Sequence, residues 1–250
     1  MDVQEVEGFE AGVFLIDKPV DISSFGVVSR MRKILHMKKV GHAGTLDPFA
    51  TGLLIVCAGR PATKLISQFM DGEKEYLATL RLGVETETLD TEGEIIKRRE
   101  VGHISAEQIE LCLAGFRGRQ FQVPPAYSAL KHQGKPLYYY ARKGIKIEKE
   151  AREITISVLE RTDGIADIVG TEGQLQIRVV CSKGTYIRTL AADIGSALGC
   201  GAHLTALRRT QSGRFSVGQS LNWDELSHEN AIEFCMKKMI SVEEVAKLLQ

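Results

Sequence analysis

Gly41-His42-Ala43-Gly44-Thr45-Leu46-Asp47-Pro48-Phe49-Ala50-Thr51-Gly52 is the segment of this chain densest in chemistry. Its three glycines allow a close backbone approach or a positive φ. Pro48 pushes Asp47 towards an extended conformation. The segment therefore reads as a rigid loop carrying one carboxylate, set between a basic helix and a short strand. Two readings stand on the loop alone. It is either a structural turn in which Asp47 hydrogen-bonds the backbone, or a carboxylate presented to a ligand.

Upstream, Val13-Phe14-Leu15-Ile16 reads as a buried strand stopped by Asp17-Lys18-Pro19. Ser23 or Ser24 can cap a helix whose apolar residues Val27, Val28, Met31, Ile34 and Leu35 keep helical spacing. Downstream, Leu53 to Cys57 is a short strand, and Pro61 suits the first turn of a helix. Tyr76, Ala78, Leu80 and Leu82 alternate along a strand. A second strand near Glu94 to Lys97 is expected to pair with it across an acidic loop. Ala106 to Leu113 reads as helix, Gly115 to Gly144 as a long irregular region, and Arg152 to Glu160 and Gln174 to Cys181 as strands. Thr185 to Leu198 reads as helix, Leu204 to Arg209 as strand, and the end from Asp224 as acidic helix. Strands and helices interleave without a βαβ rhythm. That predicts an α+β fold with a central mixed, largely antiparallel sheet.

The 250 residues carry 32 basic and 32 acidic side chains, but these are segregated. Ile22 to Leu46 holds Arg30, Arg32, Lys33, Lys38 and Lys39 and no acid. Leu111 to Ile147 holds Arg117, Arg119, Lys131, Lys135, Arg142, Lys143 and Lys146 and no acid. Gly173 to Trp223 sets Arg178, Lys183, Arg188, Arg208, Arg209 and Arg214 against Asp193 alone. Such segregation can give a neutral protein one basic face suited to a polyanion; three solvated segments that never meet would look the same. There is no phosphate loop, no complete dinucleotide fingerprint and no ligand spacing among the six histidines. The five scattered cysteines include no C-x-x-C pair. No apolar run approaches membrane-spanning length, and the acidic first ten residues resemble no targeting signal. A soluble cytoplasmic protein is expected.

Three further segments stand out. Ser182-Lys183-Gly184-Thr185-Tyr186-Ile187-Arg188 lies where a strand hands over to a helix, and Arg188 there can pair with a carboxylate and hold it ionised, or be a surface arginine. Tyr76 is either a core tyrosine or, at a strand end beside a cleft, a flat face for a base. Arg117 to Arg142 interleaves Phe121, Tyr127, Tyr138, Tyr139 and Tyr140 with basic residues, which suits phosphate contact plus stacking or a mobile surface loop.

These residues resemble a known family. His42-Ala43-Gly44-Thr45-Leu46-Asp47-Pro48 with Ala50-Thr51-Gly52-Leu53-Leu54 is similar to the signature of the bacterial tRNA pseudouridine-55 synthases of the TruB type. Leu15 to Pro19, Tyr76, Pro125 to Lys131, Cys181 to Arg188 and Gly199 to Leu204 continue the match in order, over about residues 11 to 215. The resemblance implies a pseudouridine synthase fold and a cofactor-independent isomerisation. The N1–C1′ bond of a uridine flipped from the T loop of tRNA is cleaved, and the uracil is turned and rejoined through C5. It implies Asp47 as nucleophile, Tyr76 as the stacking residue and Arg188 as the partner of the aspartate. It further implies His42, Tyr186 and Leu207 as residues lining the substrate pocket, with Lys18 and Lys131 in the matched blocks as expected substrate contacts. Attack at C1′, attack at C6 and assisted elimination at the ribose all remain compatible with these residues.

The expected organisation is a catalytic domain over 1–222, with an RNA-clamping insertion at about 115–147, and a short helical tail over 223–250. About 27 residues follow Trp223, too few for the complete PUA domain of many relatives. The expected partner is the tRNA T stem-loop, with no cofactor, metal, membrane or protein partner, and a monomeric enzyme. The competing functions are a guide-RNA-dependent synthase of ribosomal RNA, a non-enzymatic tRNA-folding protein and a carboxylate-dependent glycosidase. The last wants a second acid near Asp47, and none stands out.

Overall fold

The computed structural model describes residues 9–249. They form two compact units. The first comprises residues 9–74 with 208–249, and the second spans Glu75–Leu207.

The first unit is built on strand Thr51–Ala58, which pairs antiparallel with Gly12–Lys18 on one side, in the register Gly12↔Ala58 to Lys18↔Gly52. Strand Val40–Ala43 also pairs antiparallel with it. The central strand is buried on both faces, so its sequence is a continuous apolar run rather than an alternating one. Successive side chains point to opposite faces. Phe14, Ile16, Leu54 and Val56 pack with Val27, Val28 and Met31 of helix Ser24–Ile34. Val13, Leu15, Leu53, Ile55 and Cys57 pack with Ala62, Phe69, Phe215 and Val245 on the other face. Ser23 caps the first helix by accepting from the Gly26 amide. Helices Trp223–Ser227, Ala231–Lys238 and Val242–Leu248 close the chain and contribute Leu226 and Cys235 to one face and Val245 to the other.

Strand Ala202–Ser212 runs through both units. Its end pairs parallel with the central strand of the first, Arg208 opposite Thr51 and Arg209 opposite Gly52, which makes the sheet mixed. In the second unit its start lies beside Lys74–Leu82, followed in order by Gly173–Cys181, Arg152–Arg161 and Gly118–Gln122. The last two pairings are antiparallel. Ala78, Leu80, Leu82, Leu175, Ile177 and Val179 are buried, as are Ile109 and Leu113 of helix Ala106–Gly115 and Leu190, Ala191 and Ile194 of helix Ile187–Ala197. The α+β class with a mixed, largely antiparallel sheet is the observed one.

Two local expectations are corrected. The strand after the acidic loop, Ile95–Arg98, pairs with Val84–Thr86 and not with the strand containing Tyr76. Gly83, at φ 84°, breaks the longer strand and accepts from the Arg99 amide, which shifts the pairing beyond the break. The irregular region after Gly115 also holds regular structure. Gly118–Gln122 is an edge strand, Lys131–His132 and Lys135–Pro136 form a small hairpin, and Leu137–Ala141 is helical. The edge strand has no apolar alternation to betray it. It leaves Phe121 72% exposed and is held by its ladder to Arg152–Ile156.

Candidate active site

Residues 44–50 connect the antiparallel strands Val40–Ala43 and Thr51–Ala58, and Asp47 lies half-buried in their middle. Its two neighbours are pinned. The buried Ser24 hydroxyl accepts from the Leu46 amide and donates to the Leu46 carbonyl, both at 2.9 Å. On the other side the Pro48 carbonyl accepts from Lys18 Nζ at 3.0 Å and from the Asp21 amide at 2.9 Å. Lys18 is fully buried, and its ammonium also donates to the Pro19 and Ile22 carbonyls. The Ala50 amide donates to the Asp47 carbonyl and closes the turn. Proline cannot swing its φ, so the Asp47 backbone has little freedom left.

Beneath the loop, Arg209 is 2% exposed and donates from Nε to Leu53 O and from Nη2 to Gly44 O. Gly44 takes φ 80°, and a Cβ there would sit 3.3 Å from Nη1 of Arg209. His42 lies on the adjoining strand with Nδ1 buried and unpartnered. Burial, and then the Arg209 charge, lower its pKa below the ordinary histidine value. Both causes favour the neutral imidazole over the charged one. Arg208 holds Asp17 through Nη2 at 2.6 Å and Nη1 at 3.0 Å, tying the end of the first strand to the parallel strand.

In the second unit, Arg188 is the second residue of helix Ile187–Ala197 and is 5% exposed. A cation in a first helical turn opposes the helix dipole and needs compensation. Asp90, 1% exposed, supplies a carboxylate oxygen 3.2 Å from Nη1. The Thr88 and Tyr127 carbonyls accept from Nη1 and Nη2 at 2.8 and 2.7 Å. Arg188 thus gathers the acidic loop and the Pro125-to-Lys131 block onto one helix start. Asp90 in turn accepts from the Thr88 hydroxyl and the Glu92 amide. The buried side-chain amide of Gln122 clasps the backbone of Tyr186, accepting from its amide at 2.8 Å and donating to its carbonyl at 3.1 Å.

Tyr76 is half-buried near the start of its strand, where the face carrying buried Ala78, Leu80 and Leu82 meets the surface. Leu207 is 7% exposed. Lys131 is exposed on the small hairpin. Nearby, Lys135 and Lys143 lie 4.4 and 4.5 Å from the centroid of the Tyr139 ring, and hydrogen bonds from Lys143 and Lys135 to its hydroxyl hold that phenol below the usual tyrosine range. Arg142 stands over Tyr138 at 5.6 Å. This segment therefore presents interleaved cations and aromatic rings.

The structure brings Lys18 to Asp47's neighbour and Arg188 to Tyr127, and it adds four residues that the sequence reading missed: Ser24, Asp90, Gln122 and Arg209. Each bonds a segment tens of residues away. Burial disfavours the thiolate at four of the five cysteines, pushing Cys57 and Cys235 up to about 12 and raising Cys112 and Cys200. Among the described residues no three His, Cys, Asp or Glu side chains gather as metal ligands. The first unit offers one carboxylate on a loop pinned on both sides of Asp47, and the second a buried arginine–aspartate pair.

Residues 32–187 match the TruB family pseudouridylate synthase N-terminal domain, which defines the class as pseudouridine synthase. Residues 188–248 match the tRNA pseudouridylate synthase B C-terminal domain. The chain is 69% identical to tRNA pseudouridine synthase B of Desulfotalea psychrophila, over 98% of this chain and 100% of that one. It is 56% identical to tRNA pseudouridine synthase B of Chromobacterium violaceum, over 84% of this chain and 66% of that one. A chain from the crystal structure of a Cbf5-Nop10-Gar1 complex superposes with a TM-score of 0.70 at 29% identity, covering 95% of this chain and 62% of that chain. A chain from an H/ACA RNP bound to a substrate RNA containing 2′-deoxyuridine gives 0.65 and 27%, covering 95% and 61%. The chain belongs to the TruB family of pseudouridylate synthases.

Proposed function

We propose that this chain converts the uridine at position 55 in the T loop of tRNA to pseudouridine, with Asp47 as the nucleophile. The observation that carries the reading is the Asp47 loop, pinned through Leu46 by Ser24 and through Pro48 by Lys18. A carboxylate nucleophile gains from a fixed near-attack position, because the entropy of alignment is spent in folding. The target nucleotide is flipped from the loop, and Tyr76 offers the ring on which its base stacks, recovering part of the unstacking cost. The N1–C1′ bond breaks, the uracil turns, and C5 bonds to C1′ while the C5 proton is lost and N1 gains one. No redox change or group transfer occurs, so no cofactor is required.

Arg188 is the cation of the reaction centre, supported on its own side by Asp90. His42, Tyr186 and Leu207 line the pocket. Lys18 contributes to substrate binding through the loop it holds, and Lys131 contacts RNA directly. The acid-free stretch around 115–147 closes on the T arm, and residues 1–222 form the catalytic domain. The similarity of the D. psychrophila protein, tRNA pseudouridine synthase B, along its whole length supports the tRNA substrate. The enzyme acts alone, as a monomer in the cytoplasm. No described helix is long and apolar enough to cross a membrane.

Incubating the purified chain with an unmodified tRNA transcript and no additive, then mapping pseudouridine, tests the reading. One modified uridine in the T loop is expected. Conversion only with added guide RNA and protein partners would place the chain with the ribosomal-RNA synthases. Refolding of tRNA without conversion would make it a folding protein.

A further inference from the structure

Arg209 is a buried guanidinium that the proposed chemistry does not use. It is 2% exposed, and no carboxylate among the described residues forms an ion pair with it. A buried charge without a partner of opposite sign is costly. A neutral side chain of similar length would fill the space without that cost. What Arg209 does with its donors is specific: Nε holds Leu53 O at 2.8 Å and Nη2 holds Gly44 O at 3.0 Å. These two carbonyls stand on either side of the Asp47 loop, one at its first residue and one just past its end.

The backbone of Arg209 is itself held in the sheet. It lies opposite Gly52 in the parallel ladder. Gly52, at φ 100°, approaches so closely that any Cβ would collide with the Arg209 carbonyl oxygen. Gly44, at φ 80°, likewise leaves room for the guanidinium. Two of the three glycines in the 41–52 segment are thus shaped around this one residue.

We propose that Arg209 is a positioning residue for the reaction, a brace across both ends of the Asp47 loop that sets the aim of the carboxylate without touching the substrate. Ser24 and Lys18 fix the residues flanking Asp47, while Arg209 fixes the span on which all three rest. A planar fork can hold two carbonyls of fixed separation, and a lysine ammonium cannot reproduce that geometry. The same charge reaches His42 on the adjoining strand and helps to keep it neutral. The inference rests on the proposed reading in that Asp47 is the reacting group.

The test compares Arg209→Lys and Arg209→Met with the parent chain. It measures single-turnover conversion at saturating tRNA, tRNA affinity, amide hydrogen exchange over residues 44–53, and the His42 titration by NMR. Binding should stay within about threefold, since phosphate contacts dominate affinity. Conversion should fall at least about tenfold in both variants, and loop exchange should rise in both. The His42 midpoint should rise in Arg209→Met, which loses the charge, and stay low in Arg209→Lys, which keeps it. The His42 midpoint reports the charge alone; a residue that only stabilised the fold would lower the unfolding midpoint but leave single-turnover conversion by the folded Arg209→Lys variant near that of the parent. Should Arg209→Met fail to fold, Arg209→Lys alone decides. Conversion within twofold of the parent, with unchanged loop exchange, would overturn the brace. Failure of the parent chain to form pseudouridine would sink the functional reading instead, and loop exchange in Arg209→Lys would still test the brace.

Discussion

The hydroxyl of Ser24 exchanges two hydrogen bonds with the backbone of Leu46, 22 residues further along the chain, and Leu46 is the residue immediately before Asp47. A helix start thereby fixes one side of the Asp47 peptide, and Lys18 fixes the other through Pro48.

Replacing Ser24 with Ala leaves a buried amide and a buried carbonyl unsatisfied. Stability should fall by about 1–3 kcal/mol, measured by urea unfolding. The single-turnover rate should fall more than tRNA affinity does. Equal losses in rate and affinity would mean that the clamp does not serve the aim of Asp47.

Asp90→Asn removes the carboxylate that compensates Arg188 in a site where both side chains are 5% exposed or less. Breaking a buried pair from one side typically costs about 3–5 kcal/mol, so a clear drop in unfolding midpoint is expected, with loss of turnover. Double-mutant cycles with Arg188→Lys should show strong coupling. Additive effects would show that Asp90 and Arg188 act independently.

Much of this was readable from residues whose spacing carries local meaning. The buried strands of the first unit follow from apolar runs at 13–16 and 53–57, the first helix from its cap and periodicity, and the loop from Gly41, Gly44, Pro48 and Gly52. Asp90 was hidden because it lies in the acidic run from Glu85 to Glu94, which reads as solvated surface. The fold turns it inward by placing Leu89 at φ 64°. Arg209 was hidden inside an ordinary strand, since nothing local says which of two adjacent arginines is buried. The Ser24–Leu46 bond and the Gly118–Gln122 ladder are long-range pairings without a periodic signal.

The insertion should carry salt-dependent affinity. Replacing Lys131, Lys135, Arg142 and Lys143 with Ala removes four cations, two of which flank Tyr139. The slope of log affinity against log salt should flatten by about 0.7–0.9 for each phosphate that the variant no longer neutralises. An unchanged slope would reject the clamp.

His42 should make acid destabilising. Its folded pKa lies below 6.5, from burial and the Arg209 charge. As pH falls through about 6.5 the unfolded chain takes the proton first, so stability drops on acidification and is complete above that window. Urea midpoints measured from about pH 7 to 5 should fall more steeply for the parent chain than for His42→Gln. Parallel curves would show that His42 is not held neutral by the fold.

Asp47→Asn bears most directly on the central claim. The substitution is nearly isosteric and leaves the Ser24, Lys18 and Arg209 contacts to the loop in place, but an amide cannot serve as an anionic nucleophile. The measurement is the single-turnover rate of pseudouridine formation at saturating tRNA, with affinity determined in parallel. Binding close to that of the parent chain and no detectable conversion are the predicted outcome. Conversion within about tenfold of the parent, a barrier difference of only about 1.4 kcal/mol, would mean that another residue carries the chemistry and would contradict the account.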